Sequence, residues 1–439
     1  YMSVYQPWDK LKACLVGRSY PPEFYDGIKD PAVREPMQRV ARETEEDYQK
    51  LISKLEEFDV EVVRLDLSPN KEDYENHEGV VDIPPPMCPR DFSASIGNKF
   101  YMPSKNWGDP DTFNFEQIYW DMMNGDENAP WRDETRKLRE ETLAKYIEDL
   151  LLPGRPISMK ESYDSIRKRD DLRDYFLHLM SGIDVKEAEN LIKAAEMNTI
   201  GTVGKFPAHK KYYPWGSTRE WLTKNNIEIV YDTYINTASC WRIGKDLYFN
   251  YVNVLNKLNQ ERVFQKWTNL FPEFRVHGID IPGHGDGAMC PVCPGLIIGL
   301  SPHQFYKASF PGWEIVQLEN QSWAKVQPFL KLKEKNRGRW WIEGEEDNQE
   351  LIDYVGTWLN DWVTYVEESV FDVNMLSIDE HNIICNGYNK EAFDAFERYG
   401  VTPHIVNFRH RYFWDGGLHC ITSDLSREGT MNDYFPERS

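Results

Sequence analysis

The residues best suited to chemistry stand near the end of the sequence, in the segment Asp415–Asp424 (DGGLHCITSD). Two glycines, which tolerate positive φ and allow close backbone approach, precede a histidine and Cys420. A cysteine after such a turn could face a ligand, and its thiolate would be a strong nucleophile. Because an unperturbed cysteine has a pKa of about 8.5, a cation or a histidine must lie nearby to lower it. The alternative is a buried structural thiol.

A second polar segment, Pro282–Gly287 (PGHGDG), holds His284 and Asp286 between glycines. Residues two apart face the same side of a strand. A histidine beside a carboxylate suits proton transfer near neutral pH, so these two side chains are candidates for acid–base work. Taken alone, the segment is equally typical of a polar turn.

A third segment, Cys88–Phe92 (CPRDF), places Asp91 after a turn that contains a proline. A buried aspartate there could bind a guanidinium through both carboxylate oxygens. The alternative is a structural salt bridge made by Arg90.

The seven cysteines are scattered and odd in number, which favours free thiols in a reducing cytoplasm over a disulfide framework. Cys290 and Cys293 have the CxxC spacing of half a zinc site or a redox pair. A structural zinc needs two more ligands, and the sequence has no second CxxC, so packing is the favoured interpretation. No nucleotide-binding glycine motif occurs either, and neither cofactor nor metal is expected.

Composition excludes several classes of partner. The chain of 439 residues has a formal net charge of −21, which repels a phosphate backbone and disfavours nucleic acid. A membrane span needs about 20 continuous apolar residues, whereas the best apolar run is the short segment Pro294–Leu300. Residues Tyr1–Lys12 also lack the apolar core of a signal peptide.

Short strands alternate with helices, which predicts an α/β fold. The predicted elements at the two ends are strands Lys12–Arg18, Val60–Leu67, Met375–Ile378, Asn382–Cys385 and His404–Phe408, and helices Asp30–Phe58 and Lys390–Tyr399. Residues Asn106–Lys224 are charged and rich in helix patterns. We interpret them as a helical elaboration of one domain that spans residues 1–439, with an independent helical subdomain as the alternative.

Several of these segments, in this order, resemble the arginine:glycine amidinotransferases of the guanidine-modifying, or pentein, superfamily. The segments are Trp8-Asp9, Cys88–Asp91, Trp241–Tyr248, His284–Asp286 and Asn407–Asp424 (NFRHRYFWDGGLHCITSD), of which the last is the most specific. The likeness covers the chain from about Trp8 to Gly429 and is weak in Asn106–Lys224. It implies a single five-bladed α/β propeller of quasi-repeated ββαβ units, here with a helical insertion.

The resemblance also implies a chemistry without a cofactor. Cys420 would attack the guanidinium carbon of arginine, and His284 would protonate the departing ornithine. The amidino group, held on sulfur, would then pass to a primary-amine acceptor, with glycine as the default choice. Asp91 and Asp286 would hold the guanidinium nitrogens. The implied partners are small-molecule substrates, without nucleic acid or membrane, and the resemblance allows a homodimer.

The sequence departs from the family pattern at three positions. Asn236 stands where the family has a catalytic aspartate, and an amide holds a guanidinium more weakly than a carboxylate does. His303 replaces the arginine that binds the substrate carboxylate, and Asp372 replaces a small hydroxyl residue. Two alternatives therefore stay open: a guanidine hydrolase of the same superfamily, such as a deiminase or dihydrolase, and a non-catalytic binding protein on the same scaffold.

Overall fold

The fold is built from fifteen short β-strands in the part of the chain that the structure, a computed structural model, describes. The described residues are 2–67, 85–102, 215–231, 235–250, 264–265, 267–279, 285–301, 306–319, 324–335, 340–359 and 370–438. The strands are β1 (Lys10–Val16), β2 (Glu61–Arg64), β3 (Ala94–Ile96), β4 (Lys99–Met102), β5 (Glu228–Tyr231), β6 (Cys240–Ile243), β7 (Asp246–Asn250), β8 (Arg275–Ile279), β9 (Met289–Cys293), β10 (Leu296–Gly299), β11 (Glu314–Gln317), β12 (Leu376–Asp379), β13 (Asn382–Cys385), β14 (Thr402–Ile405) and β15 (Thr422–Glu428).

The strands form five three-stranded sheets that share one topology. In each sheet the central strand pairs antiparallel with one neighbour and parallel with the other, as in β3-β4-β5 and β12-β13-β14. A parallel pair requires a long crossover, whereas an antiparallel pair can be joined by a tight turn. Gly244, with φ of 64°, makes such a turn between β6 and β7. The expected repeat of ββαβ units is therefore confirmed.

Five apolar clusters join the sheets into a closed ring. The sheets are counted in chain order from β15-β1-β2. Leu15 and Phe100 join the first sheet to the second, and Cys240 and Leu247 contribute to the cluster between the second and the third. The other three clusters join the third sheet to the fourth, the fourth to the fifth, and the fifth back to the first. This closed order of five sheets is a five-bladed α/β propeller.

Helices lie in several of the connections between strands in the described part of the chain. They are α1 (Pro31–Glu57), α2 (Gly216–Lys224), α3 (Gly285–Ala288), α4 (Gln327–Lys335), α5 (Gln349–Trp358), α6 (Lys390–Arg398) and α7 (Arg411–Trp414). Helix α1 begins after Asp30, whose side chain accepts from the backbone N–H of Ala32 at 2.9 Å, with Pro31 in the first position. It ends before Asp59, which has a φ of 60°. The two predicted helices at the chain ends are confirmed within a residue. Of the predicted helical insertion, all but the last ten residues lie outside the described residues.

A buried charge cluster fixes the strand that follows Cys420. Asp424 on β15 pairs with Arg90 at 3.0 Å, Arg242 at 3.0 Å and Arg427 at 2.7 Å, and these side chains are at most 1% exposed. Burial alone would raise the pKa of Asp424, but the three guanidinium groups hold it well below its usual range. The salt bridge proposed for Arg90 as an alternative is therefore present. The cluster ties β15 to the second and third sheets.

Candidate active site

Cys420 lies in the turn between α7 and β15, and its side chain is buried. The chain turns after Asp415, which has a φ of 52°. A Cβ atom on Gly417 would lie 2.6 Å from Oδ1 of Asn374, so only glycine fits at that position. Arg90 holds the far side of the turn, because its Nε donates to the carbonyl oxygens of His419 and Thr422, each at 2.8 Å. The two glycines of the motif thus serve close packing around the thiol.

Asp286 links the thiol to an imidazole. Its Oδ2 lies 3.3 Å from Sγ of Cys420 and 2.8 Å from Nδ1 of His419, and the carboxylate is fully buried. Asp286 stands in the short helix α3, and its backbone N–H donates to the carbonyl oxygen of Ala238 at 3.1 Å. One carboxylate oxygen is therefore shared by the sulfur and the ring.

The imidazole of His419 is kept neutral by its surroundings. Burial and then the positive charge of Arg90 lower the pKa of His419 to about 4, although Asp286 acts in the opposite direction. A neutral ring facing a carboxylate through Nδ1 carries its proton on that nitrogen and donates it. The ring packs on the indole of Trp241, with centroids 4.9 Å apart. His419 thus orients Asp286 beside the thiol.

Asn374 completes the set. Its Oδ1 accepts from the backbone N–H groups of His419 at 2.8 Å and Cys420 at 3.2 Å. Its Nδ2 lies 3.0 Å from Sγ of Cys420 and donates to the carbonyl oxygen of Asp286 at 3.1 Å. Sequence reasoning singled out neither Asn374 nor His419. His419 adjoins the cysteine within the glycine-flanked motif, whereas nothing in the sequence marks Asn374.

The structure brings together Cys420 and Asp286 among the residues predicted from sequence. Asp91 is half-buried at the end of a 3-10 helix, Pro89–Asp91, directly after the arginine that anchors the cysteine turn. His284 and His303 lie outside the described residues.

Two of the predicted positions have clear local partners. Oδ1 of Asn236 accepts from the backbone N–H of Ser239 at 3.0 Å and so closes the turn before β6. Oδ2 of Asp372 lies 3.0 Å from Nδ2 of Asn389 and 3.4 Å from Nζ of Lys325. Asp372 stands two residues before Asn374, on the chain segment that supports the thiol.

Four other cysteines of the chain have thiols that are poorly ionised. Burial raises the pKa of the thiols of Cys14, Cys240, Cys293 and Cys385 to about 12. Cys290 and Cys293 stand on β9 in the apolar cluster between the fourth and fifth sheets. Within the described residues, no group of three or more His, Cys, Asp or Glu side chains is placed to hold a metal ion.

Cys420, Asp286, His419 and Asn374 form one buried hydrogen-bonded group on the five-bladed α/β propeller. The group places a candidate nucleophile beside a carboxylate and an imidazole. The amino-acid sequence is similar to amidinotransferases. The mitochondrial glycine amidinotransferase of Xenopus tropicalis is 25% identical over 209 residues, which are 47% of this chain and 41% of that protein. The L-arginine:L-lysine amidinotransferase of Pseudomonas savastanoi pv. phaseolicola is 20% identical over 223 residues, or 49% of this chain and 51% of that protein.

The similarity thus spans about half the length of these relatives. No family model matches the chain. Among solved structures, the inosamine-phosphate amidinotransferase from Streptomyces griseus aligns over 99% of both chains, with 15% identity and a TM-score of 0.49.

Proposed function

We propose that this protein is an amidinotransferase that moves the amidino group of L-arginine to a primary amine through an intermediate on Cys420. The observation that carries the proposal is the position of Sγ of Cys420, 3.3 Å from a buried carboxylate oxygen of Asp286. A carboxylate beside the nucleophile attracts a planar guanidinium cation and places its carbon near the sulfur. The sequence similarity to two amidinotransferases supports the same chemistry.

The backbone amides around the thiol favour amidine chemistry over acyl chemistry. An enzyme that attacks a carbonyl needs N–H donors aimed at the developing oxyanion, and amides beside the nucleophile often supply them. Here the N–H groups of His419 and Cys420 donate to Asn374 instead. A guanidinium carbon carries nitrogens that are themselves donors, so it needs acceptors such as Asp286.

In the proposed reaction, Sγ of Cys420 attacks the guanidinium carbon of arginine and forms a C–S bond. The bond from that carbon to the ornithine nitrogen breaks, and His284 gives this nitrogen a proton. The amidino group stays on sulfur. The acceptor amine then loses a proton to His284 and attacks the same carbon, and the C–S bond breaks to return the thiolate. Asp91 and Asp286 hold the guanidinium nitrogens throughout.

The acceptor is proposed only as a primary amine, with glycine as the first to test. One relative is named for glycine and the other for L-lysine, so their names support the amine class. His303 and Asp372 are the residues proposed to contact the amino-acid part of the substrates. A homodimer remains a prediction.

Location also remains a prediction. None of the helices in the described part of the chain combines the length and the apolar character that crossing a bilayer requires. The free thiols favour the cytoplasm, whereas the Xenopus relative is named mitochondrial.

Intact-mass measurement after incubation with arginine tests the function. We expect an amidino adduct that maps to Cys420 and disappears when a suitable amine is added, and we expect none in Cys420→Ser. Cys88→Ser is the matched control, because it removes another non-disulfide thiol and should keep the adduct. An adduct lost equally fast without amine would make the protein a hydrolase. Absence of any adduct would favour a binding protein.

A further inference from the structure

The side chain of Asn374 is fully buried and makes four hydrogen bonds around the nucleophile. Its carbonyl oxygen holds two consecutive backbone N–H groups, those of His419 and Cys420. Its amide nitrogen faces the carbonyl oxygen of Asp286 and the sulfur of Cys420. Because Nδ2 carries two hydrogens, it can donate to both acceptors at once. The orientation of the amide is therefore fixed, with the nitrogen toward the sulfur.

The residue is itself held rigidly. Asn374 follows the 3-10 helix Phe371–Val373, and its main-chain carbonyl oxygen accepts from Nδ2 of Asn386 at 2.8 Å. Asn386 also donates to the carbonyl oxygen of Phe371 at 3.0 Å, which pins both ends of this short turn. Gly417 packs directly on the Asn374 side chain. A donor held this firmly loses little conformational freedom when the sulfur becomes charged.

The groups around the sulfur act on its ionisation in opposite directions. The carboxylate of Asp286, at 3.3 Å, favours the neutral thiol because a thiolate would face a like charge. An N–H donated to sulfur favours the thiolate, because hydrogen bonds to charged groups are the stronger ones. Among the described residues, the other titratable or charged groups shown close to this turn are His419, Arg90 and Cys88.

We infer that Asn374 is a positioning residue that fixes the nucleophile's backbone with its oxygen and stabilises the Cys420 thiolate with its nitrogen. The inference relies on the proposed function only for the role of Cys420 as nucleophile. One amide would thus set both the placement of the sulfur and part of its reactivity. A residue with a purely structural role would affect the placement of the sulfur and leave its ionisation unchanged.

The test is the pH dependence of alkylation by iodoacetamide, followed at the Cys420 peptide by mass spectrometry. Asn374→Ala removes the donor, and we expect the midpoint of Cys420 alkylation to rise by about one to two pH units. Asn374→Asp keeps an oxygen for the two backbone N–H groups and nearly the same shape. It replaces the donor with an acidic oxygen, so its midpoint should rise at least as far. If Asn374→Ala does not fold, the alkylation midpoint of Asn374→Asp alone tests the inference.

Ser377→Ala is the matched control. Ser377 lies three residues after Asn374 in the chain, and its buried hydroxyl donates to the carbonyl oxygen of Val292 at 3.0 Å. The Cys420 midpoint of this variant should equal that of the wild type. A folded Asn374→Asp protein with the wild-type midpoint would overturn the inference. Alkylation needs neither arginine nor acceptor, so a failed transfer assay and a failed alkylation shift are separate results.

Discussion

At the scale of single residues, the sulfur of Cys420 meets an acceptor and a donor at similar distances. Asp286 Oδ2 is 3.3 Å away and Asn374 Nδ2 is 3.0 Å away. Without a cation, the carboxylate favours the protonated thiol. A guanidinium bound to Asp286 would neutralise that charge and leave the amide's effect, so the thiolate would form when the substrate arrives. In the proposed reaction, this arrangement would couple activation of the nucleophile to binding of the cation.

Substitution of Asn236 tests whether the asparagine at this position, where the amidinotransferase pattern has an aspartate, weakens binding of a guanidinium. Oδ1 of Asn236 accepts from the N–H of Ser239, and an aspartate oxygen can accept the same bond, so Asn236→Asp should preserve the turn. The added charge should strengthen guanidinium binding by roughly tenfold, because charge-assisted hydrogen bonds exceed neutral ones by about 1 kcal/mol or more. We expect a lower KM for arginine in the transfer assay.

Asp394→Asn is the control for that experiment, since Asp394 lies exposed on α6 and pairs with Lys390. Removing this surface charge should leave the KM unchanged. An Asn236→Asp protein with the wild-type KM would mean that position 236 does not contact the cation.

The sequence singles out Cys420 and Asp286, which the structure brings together, because each lies in a compact, glycine-flanked motif. It could not predict Asn374, which contacts Cys420 across 46 residues of chain. The role of such an asparagine depends on a tertiary contact that leaves no local pattern. His419 was visible in the motif, but its contact with Asp286 crosses 133 residues and arises only in the folded chain.

At the scale of elements, several strands pack on a different neighbouring sheet through each of their two faces. Neighbouring residues on one strand belong to different apolar clusters, as Cys240 and Trp241 do on β6 and as Ile297 and Ile298 do on β10. Strands buried on both faces read as continuous apolar runs instead of alternating patterns. This explains why strand positions were predictable and their boundaries shifted: Lys12–Arg18 was predicted where β1 spans Lys10–Val16.

The turn that carries the nucleophile should tolerate no side chain at Gly417. A Cβ atom there would lie 2.6 Å from Oδ1 of Asn374, so Gly417→Ala must displace the turn or the amide. Overpacking of this kind costs about 1–3 kcal/mol. We expect that loss in the free energy of unfolding, measured by urea titration, together with slower adduct formation on Cys420.

Gly387→Ala provides the comparison, because a Cβ atom at Gly387 would meet nothing within 4 Å. That variant should unfold at nearly the wild-type urea concentration. Equal stability and equal adduct rates in the two variants would contradict the close packing inferred at Gly417.

At the scale of the whole molecule, β15 closes the ring by pairing with β1, and Asp424 secures this closure with three buried arginines. Asp424→Asn would leave several buried positive charges without their carboxylate. Breaking a buried ionic network in this way costs about 3–5 kcal/mol. We expect that decrease in the free energy of unfolding.

Asp246→Asn is the informative comparison. Asp246 is fully buried as well, but its partners Arg275 and Arg438 are 13% and 21% exposed, so water can solvate them after the change. The loss in stability should therefore be clearly smaller than for Asp424→Asn. A similar loss of stability in both variants would show that solvent access to the arginines has no influence on the cost of removing the carboxylate.

Acidification should destabilise the protein between pH 6.5 and 4 through two buried histidines. Burial lowers the pKa of His410 and of His419 to about 4 from an ordinary value of about 6.5. The unfolded chain therefore binds more protons than the folded one in this range, and the stability present above pH 6.5 is lost as the pH falls through 4. Asp9 acts in the opposite direction, because burial raises its pKa to about 6.

His410→Gln isolates one of these contributions, since His410 has no proposed role in the chemistry of the thiol. Its imidazole lies near the carboxylate of Glu43. Each buried histidine adds about 1.4 kcal/mol per pH unit to the slope of stability between its two pKa values. Urea titrations at pH 6 and pH 5 should show a slope shallower by that amount in His410→Gln and unchanged in His381→Gln, where the histidine is exposed. An unaltered slope in His410→Gln would mean that its imidazole is charged in the folded protein, paired with Glu43 instead of excluded from water.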